Sequence, residues 1–291
     1  MESSELLKRV RKIEIKTRGL SSQVFSGEYH SAFKGRGMAF SEVREYIPGD
    51  DIRSIDWNVT ARFNHPYVKI FEEERELTVM ILVDVSASGD FGTNFRFKRD
   101  LITELSAVLA FSAIENNDKA GVILFSDKIE LFIPPKKGKT HILRIIRELI
   151  NIEPQGKGTD LNAALRYFNN MIKKRCIAFV ISDFMTSGYE DAIKVASRKH
   201  DLAAIRVYDP REAEMPDIGL VRFKDAETGL VSTLDASDLS VRRDYHLWWK
   251  QSNAQTSDLL NRCGIDHAIF RTDQPYVQPL LNLFKKRERR A

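Results

Sequence analysis

The apolar run Leu77-Thr78-Val79-Met80-Ile81-Leu82-Val83 stops abruptly at Asp84-Val85-Ser86-Ala87-Ser88, and this junction restricts the fold more than any other stretch of the chain. A short run with no polar alternation is what a strand covered on both faces requires. Such strands belong to parallel sheets sandwiched between helices, whose ligands gather beyond the carboxyl ends of the strands. Alternate residues of an extended segment project the same way, so Asp84, Ser86 and Ser88 present a carboxylate and two hydroxyls toward one point. Hard oxygen donors of this kind suit Mg²⁺ or Mn²⁺ better than zinc.

The remainder of the chain supplies partners for that strand. Apolar periodicity predicts helices over 97–117, 139–150, 160–173, 188–199, 238–262 and 277–284, and strands over 120–125, 129–133, 176–181, 202–208 and 265–270. Pro134-Pro135 is expected to stop the strand that starts at Ile129. The segments 220–223 and 230–233, on either side of Ala226-Glu227-Thr228-Gly229, read as an inserted β-hairpin. Upstream of residue 76 the pattern changes to a charged helix over 4–18 and then to short strands and turns with poor helical periodicity. The clearest turn there is Tyr46-Ile47-Pro48-Gly49-Asp50-Asp51. The expected class is α/β: a mainly parallel sheet flanked by helices in Rossmann-type layering over 76–291. A small β-rich satellite is expected from the N-terminal segment, 1–75, together with the hairpin near 218–235.

With 291 residues the chain can bury one large core beside such a satellite. A hydrophobic share of 43% beside 30% charged residues is that of a soluble globular protein, and no apolar stretch approaches bilayer length. The start carries no apolar core followed by a small-residue cleavage site, and Cys176 and Cys263 make no disulfide framework, so a cytoplasmic location is expected. Lysine and arginine number 45 against 41 acidic residues, a balance that argues against nucleic acid as partner. The tail Lys285-Lys286-Arg287-Glu288-Arg289-Arg290 suits phosphates or an acidic membrane surface; a frayed, solvated terminus is the plainer reading.

Two later segments point to the same sheet edge as Asp84. Gly156-Lys157-Gly158-Thr159-Asp160 places a hydroxyl at a loop-to-helix junction, and Ile181-Ser182-Asp183-Phe184 places a carboxylate just past a buried strand. Each has a local reading too, Thr159 or Asp160 as a helix cap, Asp183 as a cap or turn residue, the serines as loop hydroxyls. Taken together and in this order, they resemble the metal-ion-dependent adhesion site of von Willebrand factor type A domains. The resemblance implies that Ser86, Ser88 and Thr159 ligate Mg²⁺ (or Mn²⁺) directly. It casts Asp84 and Asp183 mainly as holders of coordinated waters, with Asp160 joining through a hydrogen bond, and leaves one metal position for a partner's Asp or Glu. Neutral hydroxyls leave the ion electrophilic enough to take that external carboxylate.

Upstream, the unbroken stretch Gly35-Arg36-Gly37-Met38-Ala39-Phe40-Ser41-Glu42-Val43-Arg44-Glu45-Tyr46-Ile47-Pro48-Gly49-Asp50-Asp51-Ile52-Arg53-Ser54-Ile55-Asp56-Trp57-Asn58 and its continuation Tyr67-Val68-Lys69-Ile70-Phe71-Glu72-Glu73-Glu74-Arg75-Glu76-Leu77 resemble the signature of the bacterial family called domain of unknown function fifty-eight. That resemblance implies a von Willebrand type A-like domain, a MoxR-type AAA+ ATPase as partner, and an adaptor role in assembly, activation or maturation of another protein. Some members carry amino-terminal membrane spans; this chain resembles the short soluble form. Read from its residues, the signature interleaves Arg36, Arg44, Arg53, Arg62 and Arg75 with acids, which suits an internal ion-pair network or a recognition surface. The internal role is favoured, with Trp57 packed against the main domain.

A Mg²⁺-dependent phosphotransferase or hydrolase using Asp84 is the competing reading. Haloacid dehalogenase-like enzymes, whose phosphorylated aspartate follows a parallel-type strand as Asp84 does, usually have a second acid two residues on, where this chain has Ser86, which does not titrate near neutrality. No Gly-x-x-x-x-Gly-Lys-Ser/Thr loop or Gly-x-Ser-x-Gly elbow is present, and the six histidines are scattered without zinc spacing, so no catalytic residue is assigned. Trp248-Trp249, adjacent on a helix, point about 100° apart, so one is expected in the core and the other outside it.

Overall fold

The computed structural model describes residues 39–72, 77–92, 96–224 and 229–288. The helix expected over 4–18 lies outside them. The described residues belong to two compact units, one within Lys34–Glu76 and the other from Leu77 onward.

In the smaller unit, strand β1 (Ala39–Glu45) pairs antiparallel with β2 (Tyr67–Glu72). The turn between them is closed by Asp50, which accepts Arg44 Nη1 and Nη2 at 2.8 and 2.7 Å and Ile47 N at 2.9 Å. Gly49 in this turn has φ 112°, the left-handed region that glycine adopts without strain. A short helix, α1 (Trp57–Phe63), follows where periodicity predicts none. Its ends explain it: Asp56 caps Asn58 N and Val59 N, and Asn64 stops it in the left-handed conformation, so local capping defines about two turns. Within this unit Trp57 is exposed. Val59 and Thr60 of α1 are half-buried.

The larger unit starts with β3 (Thr78–Asp84), α2 (Lys98–Glu115), β4 (Lys119–Phe125) and β5 (Ile129–Lys136). Next come α3 (Lys139–Asn151), α4 (Leu161–Met171), β6 (Ile177–Ser182), α5 (Glu190–Lys199) and β7 (Asp201–Tyr208). The short α6 (Pro210–Ala213), a hairpin β8 (Leu220–Lys224) and β9 (Val231–Asp235), α7 (Leu239–Arg262), β10 (Asp266–Arg271) and α8 (Val277–Glu288) complete it. Six strands form one sheet in the order β10-β7-β6-β3-β4-β5, parallel except for the β4–β5 pair. The hairpin strands β8 and β9 pair only with each other.

Side-chain alternation sorts the central strand between two apolar layers. Val79, Ile81 and Val83 pack with Leu105 of α2, Ile145 of α3 and Leu283 of α8, whereas Met80 and Leu82 pack with Leu165 of α4, Ile193 of α5 and Leu260 of α7. Each large aliphatic side chain buried this way contributes about 1.5–3 kcal/mol, which fixes the register of the strands. Among the described residues no helix is long and apolar enough to cross a membrane. Both cysteines are free.

Two expectations are corrected. The strand from Ile129 does not stop at Pro134-Pro135 but runs on to Lys136. It is an edge strand, and the register shifts opposite Gly121, so the prolines sit in a bulge where no ladder donor is needed. The basic tail is not frayed as far as it is described: Arg287 is 6% exposed, donates to Leu202 O at 3.0 Å, and pairs with Asp201 and Asp266.

Chain order places the crevice. From β3 the chain moves outward through β4 and β5, then returns by α3 and α4 to β6 on the other side of β3. Strands leaving in opposite directions open a gap beyond their carboxyl ends, here at Asp84 and Ser182.

Candidate functional site

Asp84 ends β3 and Ser182 ends β6; Ser182 Oγ donates to Asp84 Oδ2 at 2.7 Å and accepts Phe184 N at 3.0 Å. Asp84 Oδ1 accepts Ser86 N at 3.0 Å, so both oxygens of this buried carboxyl have partners. The chain turns at Ser86 into a 3₁₀ segment, Ala87–Asp90, bringing the Ser86 and Ser88 hydroxyls to 3.1 Å from each other. Ser88 Oγ donates to Asp183 Oδ2 at 2.9 Å, while Asp183 Oδ1 accepts Met185 N at 3.0 Å. Four of the five residues expected at the site thus form one hydrogen-bonded assembly with Ser182.

Thr159 belongs to the neighbouring loop. Its carbonyl accepts Thr186 Oγ1 at 3.1 Å, and the carbonyl of Lys157 accepts Ala87 N at 3.2 Å, so this loop is tied to the segments that carry Asp183 and Ser86. Asp160 is the helix cap, accepting Ala163 N at 2.8 Å at the start of α4. A cavity of about 110 Å³ lies against Asp84 and Ser86, with Ile102 and Leu149 in its wall and Arg99 and Lys157 also lining it.

The two aspartates differ because their neighbours differ. Burial, and then the negative charge of Asp183, push the Asp84 carboxyl up to about 6. Asp183 is equally enclosed and burial acts to raise it, yet the Lys98 ammonium and the hydrogen bonds from Met185 N and Ser88 outweigh this and hold it below the usual carboxylate range.

Residues not singled out from the sequence complete the surroundings. Lys98, the first residue of α2, is 1% exposed and donates to Asp183 Oδ2 at 2.9 Å and Glu212 Oε1 at 2.6 Å. Glu212 is held by a capping box, its Oε2 accepting Asp209 N at 2.8 Å. Arg206 of β7 is buried, with its guanidinium over the Trp249 ring and Nε and Nη1 without hydrogen-bond partners. Trp249 also packs on Tyr208 and is half-buried while Trp248 is 52% exposed, so the two diverge as adjacent helical residues do, but neither enters the core as expected. Lys98 offered one signal in the sequence, a cation in the first turn of a helix, where the dipole disfavours it.

Among the described residues there is no group of three or more His, Cys, Asp or Glu side chains placed to hold a metal ion. An ion here would rest on hydroxyls, and the donor set fits a hard divalent cation: two serine hydroxyls within hydrogen-bonding distance, flanked by one carboxylate held ionised and another buried beside it.

The architecture is that of an α/β domain with a polar crevice at the switch point of its sheet. The chain belongs to the family described as "Protein of unknown function DUF58", whose profile matches residues 42–255. It is 30% identical over 294 residues to "Uncharacterized protein Rv1480" of Mycobacterium tuberculosis (strain ATCC 25618 / H37Rv), covering 100% of this chain and 92% of that one. Similarity to "Uncharacterized protein YeaD" of Bacillus subtilis (strain 168) is 27% over 109 residues, 38% of this chain and 25% of that protein. Solved structures with a similar fold include the conserved hypothetical protein BatB from Bacteroides thetaiotaomicron, 18% identical, with TM-score 0.47 over 73% of this chain and 99% of that chain. The SpRpn10 VWA domain is 12% identical, with TM-score 0.37 over 73% and 95%.

Proposed function

We propose that this protein is a divalent-cation-dependent protein-binding module of the von Willebrand factor type A kind, acting in the cytoplasm as an adaptor or co-chaperone for a MoxR-type AAA+ ATPase. The observation that carries the reading is the hydrogen-bonded series Ser86, Ser88, Asp183 at the switch point of the sheet. In this reading Ser86, Ser88 and Thr159 ligate Mg²⁺ or Mn²⁺, Asp84 and Asp183 orient its waters, and a partner's Asp or Glu completes the shell. When bound, the ion supplies an electrophile for that carboxylate, because hydroxyl ligands neutralise none of its charge. The link to the ATPase rests on family membership.

Binding is favoured over catalysis by the state of Asp84. Its oxygens are engaged by Ser86 N and Ser182 Oγ, it is 5% exposed, and the residue two positions on is a serine, a poor general acid. A nucleophile needs a free, accessible oxygen.

The test is affinity purification of the full chain in Mg²⁺, in EDTA, and as the Asp84→Ala and Ser88→Ala variants, with identification of the proteins retained. A partner set containing an AAA+ ATPase is expected in Mg²⁺ alone. Equal recovery in every arm overturns the metal-bridging reading. A phosphatase screen with Mg²⁺ that finds turnover abolished by Asp84→Asn establishes the enzymatic reading instead.

A further inference from the structure

Lys98 stands in a position that folding alone does not call for. Its ammonium is buried at the first turn of α2, where the helix dipole opposes a cation, and its methylene stem fills space that an apolar side chain of similar volume fills without loss of hydration. Burial acts to lower its pKa; the charges of Asp183 and Glu212 outweigh burial and keep it protonated. The geometry is directed: Nζ touches the same Asp183 oxygen that accepts Ser88, and its second carboxylate, Glu212, is fixed from behind by the Asp209 backbone.

We propose that Lys98 is a resident cation that sets the divalent-ion affinity of the Asp84, Ser86, Ser88 and Asp183 site, and that it keeps this affinity low until a partner carboxylate arrives. The inference rests on the metal-binding reading above. Around the crevice the carboxylates Asp84, Asp90, Asp183 and Glu212 stand with the cations Lys98, Arg99, Lys157 and Arg206, the last attracted to Asp183 and Glu212 through space. Hydroxyl ligands add no negative charge, so a divalent ion entering alone meets a field already largely neutralised. An incoming Asp or Glu supplies the missing charge, which makes binding of ion and partner mutually dependent. Lys98 therefore acts as a positioning residue: it orients Asp183 for Ser88 while offsetting its charge.

The experiment titrates the full chain with Mn²⁺ alone at pH 7.5, by electron paramagnetic resonance and calorimetry. Lys98→Met is expected to bind Mn²⁺ roughly tenfold tighter than the unmodified chain, because a fixed charge near the ion is removed. Lys98→Arg, which keeps the charge, stays within about threefold, and Glu212→Gln, which leaves the ammonium to Asp183 alone, binds at least about threefold more weakly. Ion binding seen only in Lys98→Met also supports the proposal. If the unmodified chain binds Mn²⁺ in an Asp84→Ala-sensitive manner and Lys98→Met binds no more tightly, the role of Lys98 is overturned while the metal site stands. If no variant binds Mn²⁺, the metal site itself is overturned and the role of Lys98 with it. Should circular dichroism show Lys98→Met unfolded, Glu212→Gln decides: weaker binding supports the proposal and unchanged binding overturns it.

Discussion

Ser182 Oγ donates to Asp84 Oδ2 at 2.7 Å, joining the carboxyl ends of the two strands between which the chain reverses its direction of travel across the sheet. The same hydroxyl accepts Phe184 N at 3.0 Å and so supports a non-glycine residue with φ 58°. Ser182 is fully buried. Water therefore does not replace either bond when the hydroxyl is removed.

Ser182→Ala is expected to destabilise the domain by about 2 kcal/mol, since it leaves a buried acceptor and a buried donor unsatisfied. Ser182→Thr, which retains the hydroxyl, should cost less than about 1 kcal/mol. Urea unfolding followed by circular dichroism measures both. Equal stability of Ser182→Ala and the unmodified chain would show that the bridge contributes nothing.

Gly156 makes a second prediction, about the loop that carries Thr159. A Cβ at this position collides with Asp127 Oδ1 and Ser126 Oγ. Asp127 is exposed and can swing aside, but Ser126 is buried and donates to Glu130 Oε1 at 2.6 Å, the atom that also accepts Gly156 N at 2.8 Å. Gly156→Ala should therefore displace the loop, with a loss of about 1–3 kcal/mol in urea unfolding. Mn²⁺ titration of the folded variant should show weaker binding if Thr159 is a ligand; unchanged affinity would remove Thr159 from the ligand set.

The strands and helices of the larger unit were legible because they are long, apolar and periodic. Asp84, Ser86, Ser88 and Asp183 were legible because strand ends and alternate spacing place oxygen side chains at one edge. What escaped the sequence depends on long-range contact. Lys98 sits in Arg96-Phe97-Lys98-Arg99-Asp100, a stretch whose composition is that of a solvated surface, and only packing against residues 85 and 114 positions away reveals it as buried. Arg206 reads as one polar interruption in an apolar strand, with no local sign that Trp249 covers it. Pro134-Pro135 signalled a stop because their rule concerns ladder donors, and whether a donor is needed depends on which strand lies at the edge. The capped helix α1 was missed for the opposite reason: it is too short for periodicity to register, and only its caps announce it.

His200 yields a pH prediction far from the crevice. It is 1% exposed, Nδ1 lies 3.3 Å from Cys176 Sγ, and burial, then Lys199 and Arg175, push its pKa down to about 4. The unfolded chain therefore binds a proton that the folded chain refuses between about pH 6.5 and 4. Stability due to this group is present above the unfolded value and is lost as the pH falls toward the folded one. Melting temperature should drop from pH 7 to 4.5, and His200→Gln should flatten part of that slope. A slope identical in both proteins excludes His200 as a source of acid sensitivity.

Arg287 ties the last helix to the start of the strands. Its guanidinium donates to Leu202 O and pairs with Asp201 and Asp266, and its side chain is only 5% exposed. Removing one member of a buried ion pair leaves its partner uncompensated, at a cost of about 3–5 kcal/mol when all members are enclosed. Asp201 is 36% exposed and water screens it, so Arg287→Met is expected at the lower end, about 3 kcal/mol in urea unfolding. Asp266, at 8%, loses its enclosed cation and keeps only the half-exposed Lys286 ammonium at 3.9 Å, so adding Asp266→Asn to Arg287→Met should recover part of the loss. A loss below about 0.5 kcal/mol for Arg287→Met would mean that the basic end of the chain is solvated after all, as its composition alone suggested.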